Sequence, residues 1–358
     1  MNKSIALLPG DGVGPEVMAE AVKVLEKIGQ QFGHKFNFET GLLAGAAWEK
    51  YYNHLPEETI ALCKKADAML LGAVGGPVSA QNEPKWKDAE KNSILGLRKI
   101  FQLNVNLRPV LVNPLLADLS PLKKSIVEQG IDFIIVRELI GDVYFGEHKN
   151  EGDSAYDVMS YSKEQIEIAI RYAFEAAQLR RKKVTVVDKA NVLETSRLWR
   201  RVAEEVKKDF PEITMEYMFV DNAAQQIIKN PSQFDVIATG NLFGDILSDA
   251  AAVLPGSLGL MPSASFGKEY ALYEPIHGSA PDIAGQNVVN PIATILSAAM
   301  LLRFSFKLEK EAQVIEAAVN QTIQAGIRTK DIAEEHKPIG TQEMGEAIVA
   351  RIEKNFCP

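Results

Sequence analysis

The distribution of apolar residues along the chain predicts buried strands that alternate with amphipathic helices. Longer segments with apolar residues at helical spacing predict helices at 14–32, 163–181, 194–208, 290–305, 309–325 and 341–353. Short apolar runs bounded by turn residues or charges predict strands at 4–10, 66–72, 104–112, 131–139, 183–189, 214–220, 234–240 and 270–275. This alternation indicates an α/β protein with a largely parallel sheet.

Two segments need a separate interpretation. The stretch 141–162, GDVYFGEHKNEGDSAYDVMSYS, is polar, glycine-containing and rich in tyrosine, which predicts either an extended arm or hairpin or an ordinary surface loop. The apolar run PIATILSAAMLLRF at 291–304 is too short to span a bilayer, so we predict a buried helix and no membrane partner.

Length, charge and cysteine content narrow the class of protein. A chain of 358 residues is too long for one ordinary core and predicts two domains. The net charge of −8, with no basic stripe, argues against a nucleic-acid partner, although a few arginines could still bind an anionic small substrate. Cys63 and Cys357 lack the spacing of a metal site or a disulfide framework, and the N-terminus lacks a long apolar signal, which predicts a reducing, cytoplasmic location.

A glycine-rich stretch, LLPGDGVGPEV at 7–17, follows the first strand and opens a helix, where a dinucleotide fingerprint would lie. The fingerprint requires G-x-G-x-x-G, but Pro15 occupies the third glycine position, and Asp11 and Glu16 would repel a pyrophosphate. We therefore interpret it as a tight strand-to-helix turn with Pro15 in the first helical turn.

The stretch GNLFGDILSDAAAVLPGS at 240–257 predicts a helix with Asn241 as its N-cap and Asp245 in its first turn. Asp245 and Asp249 lie four residues apart on one helix face, where like charges cost about 0.2–0.5 kcal/mol when exposed and more among apolar residues. Together with Asp221, which follows another strand, they form an oxygen-only set that selects Mg²⁺ or Mn²⁺. The alternative is solvated aspartates that complement the helix dipole, which suits Asp245 better than the deeper Asp249.

Several basic and polar residues add candidate chemistry. Arg98 ends a short helix, and Arg108 and Arg137 interrupt apolar strands, a pattern that suits a di- or tricarboxylate or a phosphate better than three separate structural ion pairs. Lys189 ends a strand and could act as a base if its pKa is lowered. Tyr144 could act as an acid, although simple packing in a turn is the more common role of such a tyrosine.

A loop rich in Gly, Pro and Asn, YEPIHGSAPDIAGQNVVNPIA at 273–293, precedes an apolar helix. The small residues Gly278, Ser279 and Ala280 beside His277 would let a ligand approach the backbone, and Asp282 could accept a hydrogen bond from a ribose diol. A lone histidine in a loop is more often unspecialised.

Taken together, these motifs resemble the isocitrate/isopropylmalate dehydrogenase family of β-decarboxylating dehydrogenases. The resemblance runs nearly end to end and is carried by these stretches: GDGVGPEV, LRK with NLRP, VRELIGDVYFGE, DKANVLETSRLWR, GNLFGDILSDAAAVLPGSLGLMPSAS and EPIHGSAPDIAGQNVVNP. It implies a mixed α/β sheet without Rossmann topology, in two domains. The cofactor-binding domain would combine 1–103 with 256–358. The substrate, metal and dimerisation domain would be 104–255, with an arm at 141–162.

The resemblance also implies an assembly and a set of site residues. It implies a homodimer with shared active sites, in which Lys189 and Asp221 come from the neighbouring subunit. The family's substrate, metal, catalytic and cofactor positions match residues of this chain. They are Arg98, Arg108 and Arg137 for the substrate carboxylates; Asp221, Asp245 and Asp249 for Mg²⁺ or Mn²⁺; Tyr144, Lys189 and Asp221 for catalysis; and Glu274, His277, Gly278, Ser279, Ala280, Asp282, Ile283 and Asn290 for the cofactor, with His277 and Asn290 at the adenine.

The implied reaction is oxidation of a 2-hydroxy acid followed by loss of its β-carboxylate as CO₂. Lys189, through Asp221 or water, would help remove the hydroxyl proton while hydride passes to the nicotinamide. The metal would polarise the new ketone, and Tyr144 would protonate the enol.

Two choices within the family follow from particular residues. Asp282 and Ile283 favour NAD⁺, because a carboxylate accepts from a ribose 2′-hydroxyl but repels a 2′-phosphate. Ile94 and Leu95, one helical turn before Arg98, suit an isopropyl group better than a third carboxylate. The segment 75–92 departs from the family pattern by added residues before PKW, and Glu90 is placed near the nicotinamide and substrate on the resemblance alone.

Three alternatives stay open at this point. An NAD-dependent D-malate, tartrate or homoisocitrate dehydrogenase would share the same motifs. A metal-dependent phosphate-ester hydrolase would use the arginines and aspartates without the 274–290 loop. A non-catalytic regulatory subunit is disfavoured, because Lys189, Tyr144 and the three aspartates are all present.

Overall fold

Residues 1–354 are described by the structure, a computed structural model, and Cys357 lies outside these described residues. The strands, in chain order, are β1 Asn2–Gly10, β2 Lys35–Thr40, β3 Ala68–Ala73, β4 Val105–Leu111, β5 Asp132–Glu138, β6 His148–Asn150, β7 Ala155–Asp157, β8 Lys183–Asp188, β9 Thr214–Phe219, β10 Val236–Thr239, β11 Pro262–Phe266 and β12 Ala271–Pro275. The α-helices are α1 Gly14–Phe32, α2 Ala44–Tyr51, α3 Glu57–Lys65, α4 Gly96–Ile100, α5 Lys124–Val127, α6 Lys163–Gln178, α7 Glu194–Lys207, α8 Val220–Lys229, α9 Asn241–Ala251, α10 Ile292–Phe304, α11 Glu309–Gln324 and α12 Thr341–Lys354.

The predicted strands and long helices are confirmed at their positions in the chain. The sequence analysis missed β2 and β11 as well as the helices α2, α5 and α8. β2, KFNFET, is only half-buried to exposed, and so lacks the apolar run that marks the other strands. α8 begins at Val220, which the apolar pattern had assigned to the preceding strand.

The chain divides into two compact units. The first comprises 1–101, 257–264 and 269–358, and the second comprises 102–256 and 265–268. In the first unit β1 pairs with β2 and β3 in parallel, and β12 pairs in parallel with the other side of β3. The apolar α10 packs on β3 and β12 and is buried along most of its length, so the predicted buried helix at 291–304 is confirmed. Among the described residues, no helix is both long and apolar enough to cross a membrane.

The second unit carries a mixed sheet in the order β4-β5-β10-β8-β9. β4 and β5 are antiparallel, and the remaining pairs are parallel. α6 packs on β5 and β10, and α9 packs on β5. The predicted mixed α/β class is therefore confirmed, and neither unit has the 3-2-1-4-5-6 strand order of a Rossmann fold.

The polar segment at 141–162 forms a hairpin. β6 and β7 pair antiparallel with His148 opposite Asp157, and all residues of both strands are exposed. This result selects the hairpin interpretation over an ordinary loop.

The turn at 7–17 joins β1 to α1 as predicted. α1 begins at Gly14, with Pro15 in its first turn. Proline suits this position because the missing N–H would have had no partner inside the helix.

The start of α6 offers a stability prediction. Ser162 and Gln165 form a capping box, in which the Gln165 N–H donates to Ser162 Oγ at 3.2 Å and the Ser162 N–H donates to Gln165 Oε1 at 2.8 Å. We expect Ser162→Ala to lower the unfolding free energy by about 1 kcal/mol, and so Tm by about 2–4 °C in a thermal melt. Ser154→Ala in the exposed hairpin is the control, and equal melting of both variants would contradict a stabilising cap.

Candidate active site

Two buried arginines of the second unit contact α9, one at its first residue and the other near its C-terminal end. Arg108 on β4 donates from Nε to Asn106 Oδ1 at 2.7 Å and from Nη1 to Ser248 Oγ at 2.6 Å. Arg137, at the end of β5, donates from Nε and Nη2 to Asn241 Oδ1 at 3.0 and 2.7 Å. Because both guanidinium groups are buried, each needs a negative partner, from the chain itself or from a bound anion.

The first residue of α9 has a different role from the predicted one. Gly240, not Asn241, is the N-cap, and Asn241 is the first helical residue. The Asn241 side chain cannot cap the helix because its oxygen accepts from Arg137 and its nitrogen donates to Gly141 O at 3.2 Å. Two other side chains accept hydrogen bonds from the free N–H groups at the start of α9. The N–H of Asn241 donates to Tyr161 Oη at 2.7 Å, and that of Leu242 donates to Asp142 Oδ2 at 3.1 Å.

Asp245 and Asp249 lie one helical turn apart beside these arginines, with Asp245 in the second turn of α9 and not in the predicted first turn. Arg137 Nη1 forms an ion pair with Asp245 Oδ1, and Arg108 Nη1 lies 3.3 Å from Asp249 Oδ1. Desolvation raises the pKa of Asp249, Arg108 opposes that rise, and the charge of Asp245 adds to it. The close packing needs Gly244, since a Cβ there would lie 2.7 Å from Arg137 Cγ.

Tyr144 completes this cluster in the second unit. Its hydroxyl donates to Asp245 Oδ2 at 2.7 Å, and the Arg137 guanidinium carbon lies 5.6 Å from the centre of its ring. The structure thus brings together five of the residues selected from the sequence: Arg108, Arg137, Tyr144, Asp245 and Asp249.

Lys189 and Asp221 form a separate pair in the second unit. Lys189 follows β8, Asp221 lies in the first turn of α8, and Lys189 Nζ donates to Asp221 Oδ1 at 2.6 Å. This hydrogen bond lowers the pKa of Asp221. Within residues 1–354, no group of three or more His, Cys, Asp or Glu side chains is placed to hold a metal ion. Asp221, Asp245 and Asp249 of one chain therefore do not form a three-carboxylate metal site by themselves.

In the first unit, Arg98 on α4 is buried next to Glu274 on β12. Its Nη2 lies 3.3 Å from Glu274 Oε1, and its buried Nε finds no hydrogen-bond partner in the described chain. Ile94 is buried and Leu95 half-buried in the helical turn that precedes α4. Leu95 and Glu90 line a cavity of about 310 Å³, together with Gly75, Gly76, Gln81, Trp86, Asp88, Ala89 and Lys91.

The loop at 274–290 is also part of the first unit. His277 Nδ1 pairs with Gly278 O at 2.9 Å, whereas its buried Nε2 has no hydrogen-bond partner among residues 1–354. Burial lowers the pKa of the imidazole, which favours the neutral ring. Asp282 is exposed. Asn290 is buried and already engaged, since it accepts from the Ile292 N–H at 3.0 Å and donates to Asp331 Oδ2 at 3.0 Å.

Sequence reasoning missed several residues that position these groups. Asp188, beside Lys189, accepts two hydrogen bonds from Arg200, at 2.7 and 3.0 Å, and Ser196 Oγ accepts from the Lys189 N–H at 3.0 Å. Glu138, beside Arg137, is fully buried, and burial raises its pKa to about 7. For Asp188 and Glu138, the signal that could have identified them is their position next to a candidate residue in the sequence.

The chain matches the family model described as isocitrate/isopropylmalate dehydrogenase over residues 4–348, and it belongs to that family of oxidoreductases. Curated relatives give the finer comparison. A 3-isopropylmalate dehydrogenase of Priestia megaterium is 57% identical, covering 98% of this chain and 96% of the relative. The 3-isopropylmalate dehydrogenase of Bacillus subtilis is 52% identical, covering 98% of each.

Solved structures agree with the family. An isocitrate dehydrogenase from Methylococcus capsulatus superposes with a TM-score of 0.86 at 35% identity, covering 98% of this chain and 99% of that one. A β-decarboxylating dehydrogenase from Thermococcus kodakarensis gives a TM-score of 0.80 at 34% identity, covering 98% and 96%. The family resemblance seen in the sequence motifs is thereby confirmed.

Proposed function

We propose that this chain catalyses the NAD⁺-dependent oxidative decarboxylation of (2R,3S)-3-isopropylmalate to 4-methyl-2-oxopentanoate and CO₂, a step of leucine biosynthesis. The observation that carries the proposal is the group of two buried arginines, two aspartates and one tyrosine at α9. The high identity to enzymes named 3-isopropylmalate dehydrogenase supports this substrate.

The substrate carboxylates are assigned to Arg98, Arg108 and Arg137. Charge-assisted hydrogen bonds from a planar guanidinium suit a carboxylate, and the buried Nε of Arg98 is a donor still to be satisfied. Ile94 and Leu95 offer an apolar surface for the isopropyl group. A hydrophobic pocket discriminates modestly, so related malates should react slowly.

Asp245 and Asp249, with Asp221, are assigned to Mg²⁺ or Mn²⁺. The donor set fits, because carboxylate oxygens without His or Cys suit a hard cation, and a cation would offset the like charges on α9. When bound, the cation would act as a Lewis acid toward the substrate oxygen, and NAD⁺ would serve as the hydride acceptor.

Proton transfer is assigned to Lys189 and Tyr144. Lys189 helps to remove the C2 hydroxyl proton through Asp221, whose Oδ1 lies 2.6 Å from Lys189 Nζ, or through water. Tyr144 gives its phenolic proton to the enol that remains after CO₂ leaves. Its hydrogen bond to Asp245 Oδ2 holds the hydroxyl among the metal-binding carboxylates.

NAD⁺ is assigned to the loop at 274–290, with Glu90 on the nicotinamide side. The unpaired, buried Nε2 of His277 fits an adenine amino group, and Asp282 is exposed and able to accept from a ribose 2′-hydroxyl. The same carboxylate would repel the 2′-phosphate of NADP⁺.

We assign the functional assembly to a cytoplasmic homodimer with two shared active sites. A second copy would supply Lys189 and Asp221 to the aspartates of α9. Apolar side chains exposed at the second unit support such an interface: Ile228 on α8, Ile246 on α9 and Val253 just beyond it. The hairpin at 148–157 is the arm that would contact the partner.

The proposed function is tested by following NADH absorbance with 3-isopropylmalate, NAD⁺ and Mg²⁺. Parallel assays contain isocitrate, D-malate, tartrate, or 3-isopropylmalate with EDTA. We expect turnover on 3-isopropylmalate that EDTA abolishes. Faster turnover of another acid would contradict the assignment of 3-isopropylmalate and identify that acid as the substrate. No turnover of any acid would contradict the dehydrogenase proposal.

Cofactor choice gives a second test. We expect Asp282→Lys to raise the KM for NAD⁺ by about tenfold or more, because the acceptor for the ribose hydroxyl is lost. The exposed Glu335→Lys makes the same charge change outside the loop and should leave the KM unchanged. An unchanged KM for Asp282→Lys would show that this loop does not bind the ribose.

A further inference from the structure

The glycine-rich turn between β1 and α1 has no role in the function assigned so far. It is nevertheless in direct contact with the 274–290 loop. The Val13 N–H, at the start of α1, donates to Ser279 O at 2.8 Å. A Cβ at Gly12 would lie 1.9 Å from the same Ser279 O, so only glycine permits this approach. Gly12 also has φ +56°, which glycine adopts without strain.

Two further contacts tie the turn to the same loop. Glu16 Oε1 accepts from the Gly285 N–H at 2.9 Å. Val13, Val17 and Val289 form a small buried apolar cluster, on which Ala280, Ile283 and Ala284 pack. The loop is thus held by a backbone hydrogen bond, a carboxylate and an apolar contact from one turn.

Asp11 connects this turn to a second segment of the first unit. Its buried carboxylate accepts from the N–H groups of Gly75 at 3.0 Å, Gly45 at 3.2 Å and Ala46 at 2.9 Å. Gly75 lines the cavity that contains Glu90, and a Cβ on Gly75 would lie 3.3 Å from Glu90 Oε1 and 3.7 Å from Ser279 Oγ. The turn therefore contacts the backbone beside both proposed ends of the cofactor site.

We propose that residues 11–16 are positioning residues for NAD⁺, which fix the 279–285 loop and the Gly75 segment in the conformation that binds the cofactor. This inference rests on the proposed role of the 274–290 loop. The turn contributes by preorganisation: a loop that is already ordered loses less conformational entropy on binding, so its loosening weakens affinity without removing any ligand contact. Asp11 and Glu16 carry the negative charges that would repel a pyrophosphate at this turn. The same two side chains accept hydrogen bonds from the backbone N–H groups of Gly75 and Gly285, respectively.

The test compares Gly12→Ala with Gly33→Ala. Both glycines have positive φ, +56° and +70°, but a Cβ at Gly33 meets no atom within 4 Å in the described structure. The two variants share the backbone strain and differ in the contact with Ser279. We expect Gly12→Ala to raise the NADH Kd, measured by fluorescence titration, and the KM for NAD⁺ by about tenfold. At saturating NAD⁺ we expect kcat and the KM for 3-isopropylmalate to stay within about twofold of wild type, as for Gly33→Ala.

Hydrogen–deuterium exchange without cofactor provides a readout independent of activity. The amides of 279–286 should exchange faster in Gly12→Ala than in wild type or Gly33→Ala. Unchanged NADH affinity and unchanged loop exchange would overturn the inference. A fall in kcat with the NADH Kd and both KM values unchanged would assign Gly12 to folding only, because a smaller folded fraction lowers the apparent kcat alone.

If Gly12→Ala does not fold, a second pair of variants tests the positioning role of residues 11–16. Glu16→Gln retains an acceptor for the Gly285 N–H, whereas Glu16→Ala removes it. We expect weaker NADH binding and faster loop exchange in Glu16→Ala, with Glu16→Gln close to wild type, and equal behaviour of the pair would contradict the inference. Wild-type protein that binds no NADH would contradict the proposed function as well, whereas wild-type binding with unaffected variants would contradict the positioning role alone.

Discussion

Lys189→Ala is expected to lower kcat by about 10²–10⁴-fold, the range that general acid–base catalysis contributes. The ammonium donates to Asp221 at 2.6 Å, and alanine has no group that can hold or move the hydroxyl proton. The measurement is the steady-state rate of NADH formation at saturating 3-isopropylmalate, NAD⁺ and Mg²⁺.

The fold should survive this substitution. The Lys189 side chain is 29% exposed and that of Asp221 is 63% exposed, and exposed ion pairs contribute about 0–1 kcal/mol to stability. The backbone position is fixed independently, because the Lys189 N–H donates to Ser196 Oγ. Circular dichroism and light scattering should therefore match wild type. Lys208→Ala, at an exposed position just after α7, is the control that should keep full activity. Near-normal turnover of Lys189→Ala would remove this lysine from the mechanism.

Arg137→Lys is expected to lower kcat/KM for 3-isopropylmalate by about 10²-fold or more. Lysine keeps the charge, but one ammonium cannot reproduce the contacts of the guanidinium with Asn241 and Asp245 and also bind a carboxylate. A loss of about 10²-fold corresponds to about 2.7 kcal/mol, within the range for losing one or two hydrogen bonds to a charged group. The KM for NAD⁺ should change little.

The Arg137 variant also needs a stability control. Asn241 Oδ1 would lose two donors, so we expect the unfolding free energy to fall by about 1–3 kcal/mol. Kinetics are therefore measured at a temperature where circular dichroism shows the variant to be folded. Arg171→Lys makes the same change on the exposed face of α6, where Arg171 pairs with Glu167 and Asp209. A kcat/KM for Arg137→Lys as close to wild type as that of Arg171→Lys would contradict the substrate-binding role.

The close packing at α9 shows where sequence reasoning is accurate and where it stops. The spacing of Asp245 and Asp249 places them on one helix face, because the period of the helix is fixed by its backbone geometry. The same reasoning assigned Asn241 to the N-cap, since asparagine favours that position. The prediction was wrong because Arg137, which is distant in sequence, uses the amide oxygen of Asn241.

The metal and cofactor assignments show a related limit. The sequence selects Asp221 as a ligand by its position after a strand and by family resemblance. A single chain pairs it with Lys189 and does not group it with Asp245 and Asp249. Its role as a metal ligand stays a prediction whose test is the assembly and its metal dependence. Asn290 likewise stays a predicted adenine contact, although its side-chain amide already accepts a hydrogen bond from the Ile292 N–H and donates one to Asp331.

The sequence by itself determined the α/β class, most of the strands and long helices, and the family. These follow from local signals, namely the periodicity of apolar residues, turn residues and runs of identical motif residues, which act over a few neighbours. Only the tertiary structure decided which polar groups meet. It joined Arg137 to Asn241, Arg98 to Glu274, and the turn at Gly12 to Ser279, pairs separated by about 100 residues or more. Such contacts depend on strand order and on close backbone approach, which no local pattern encodes.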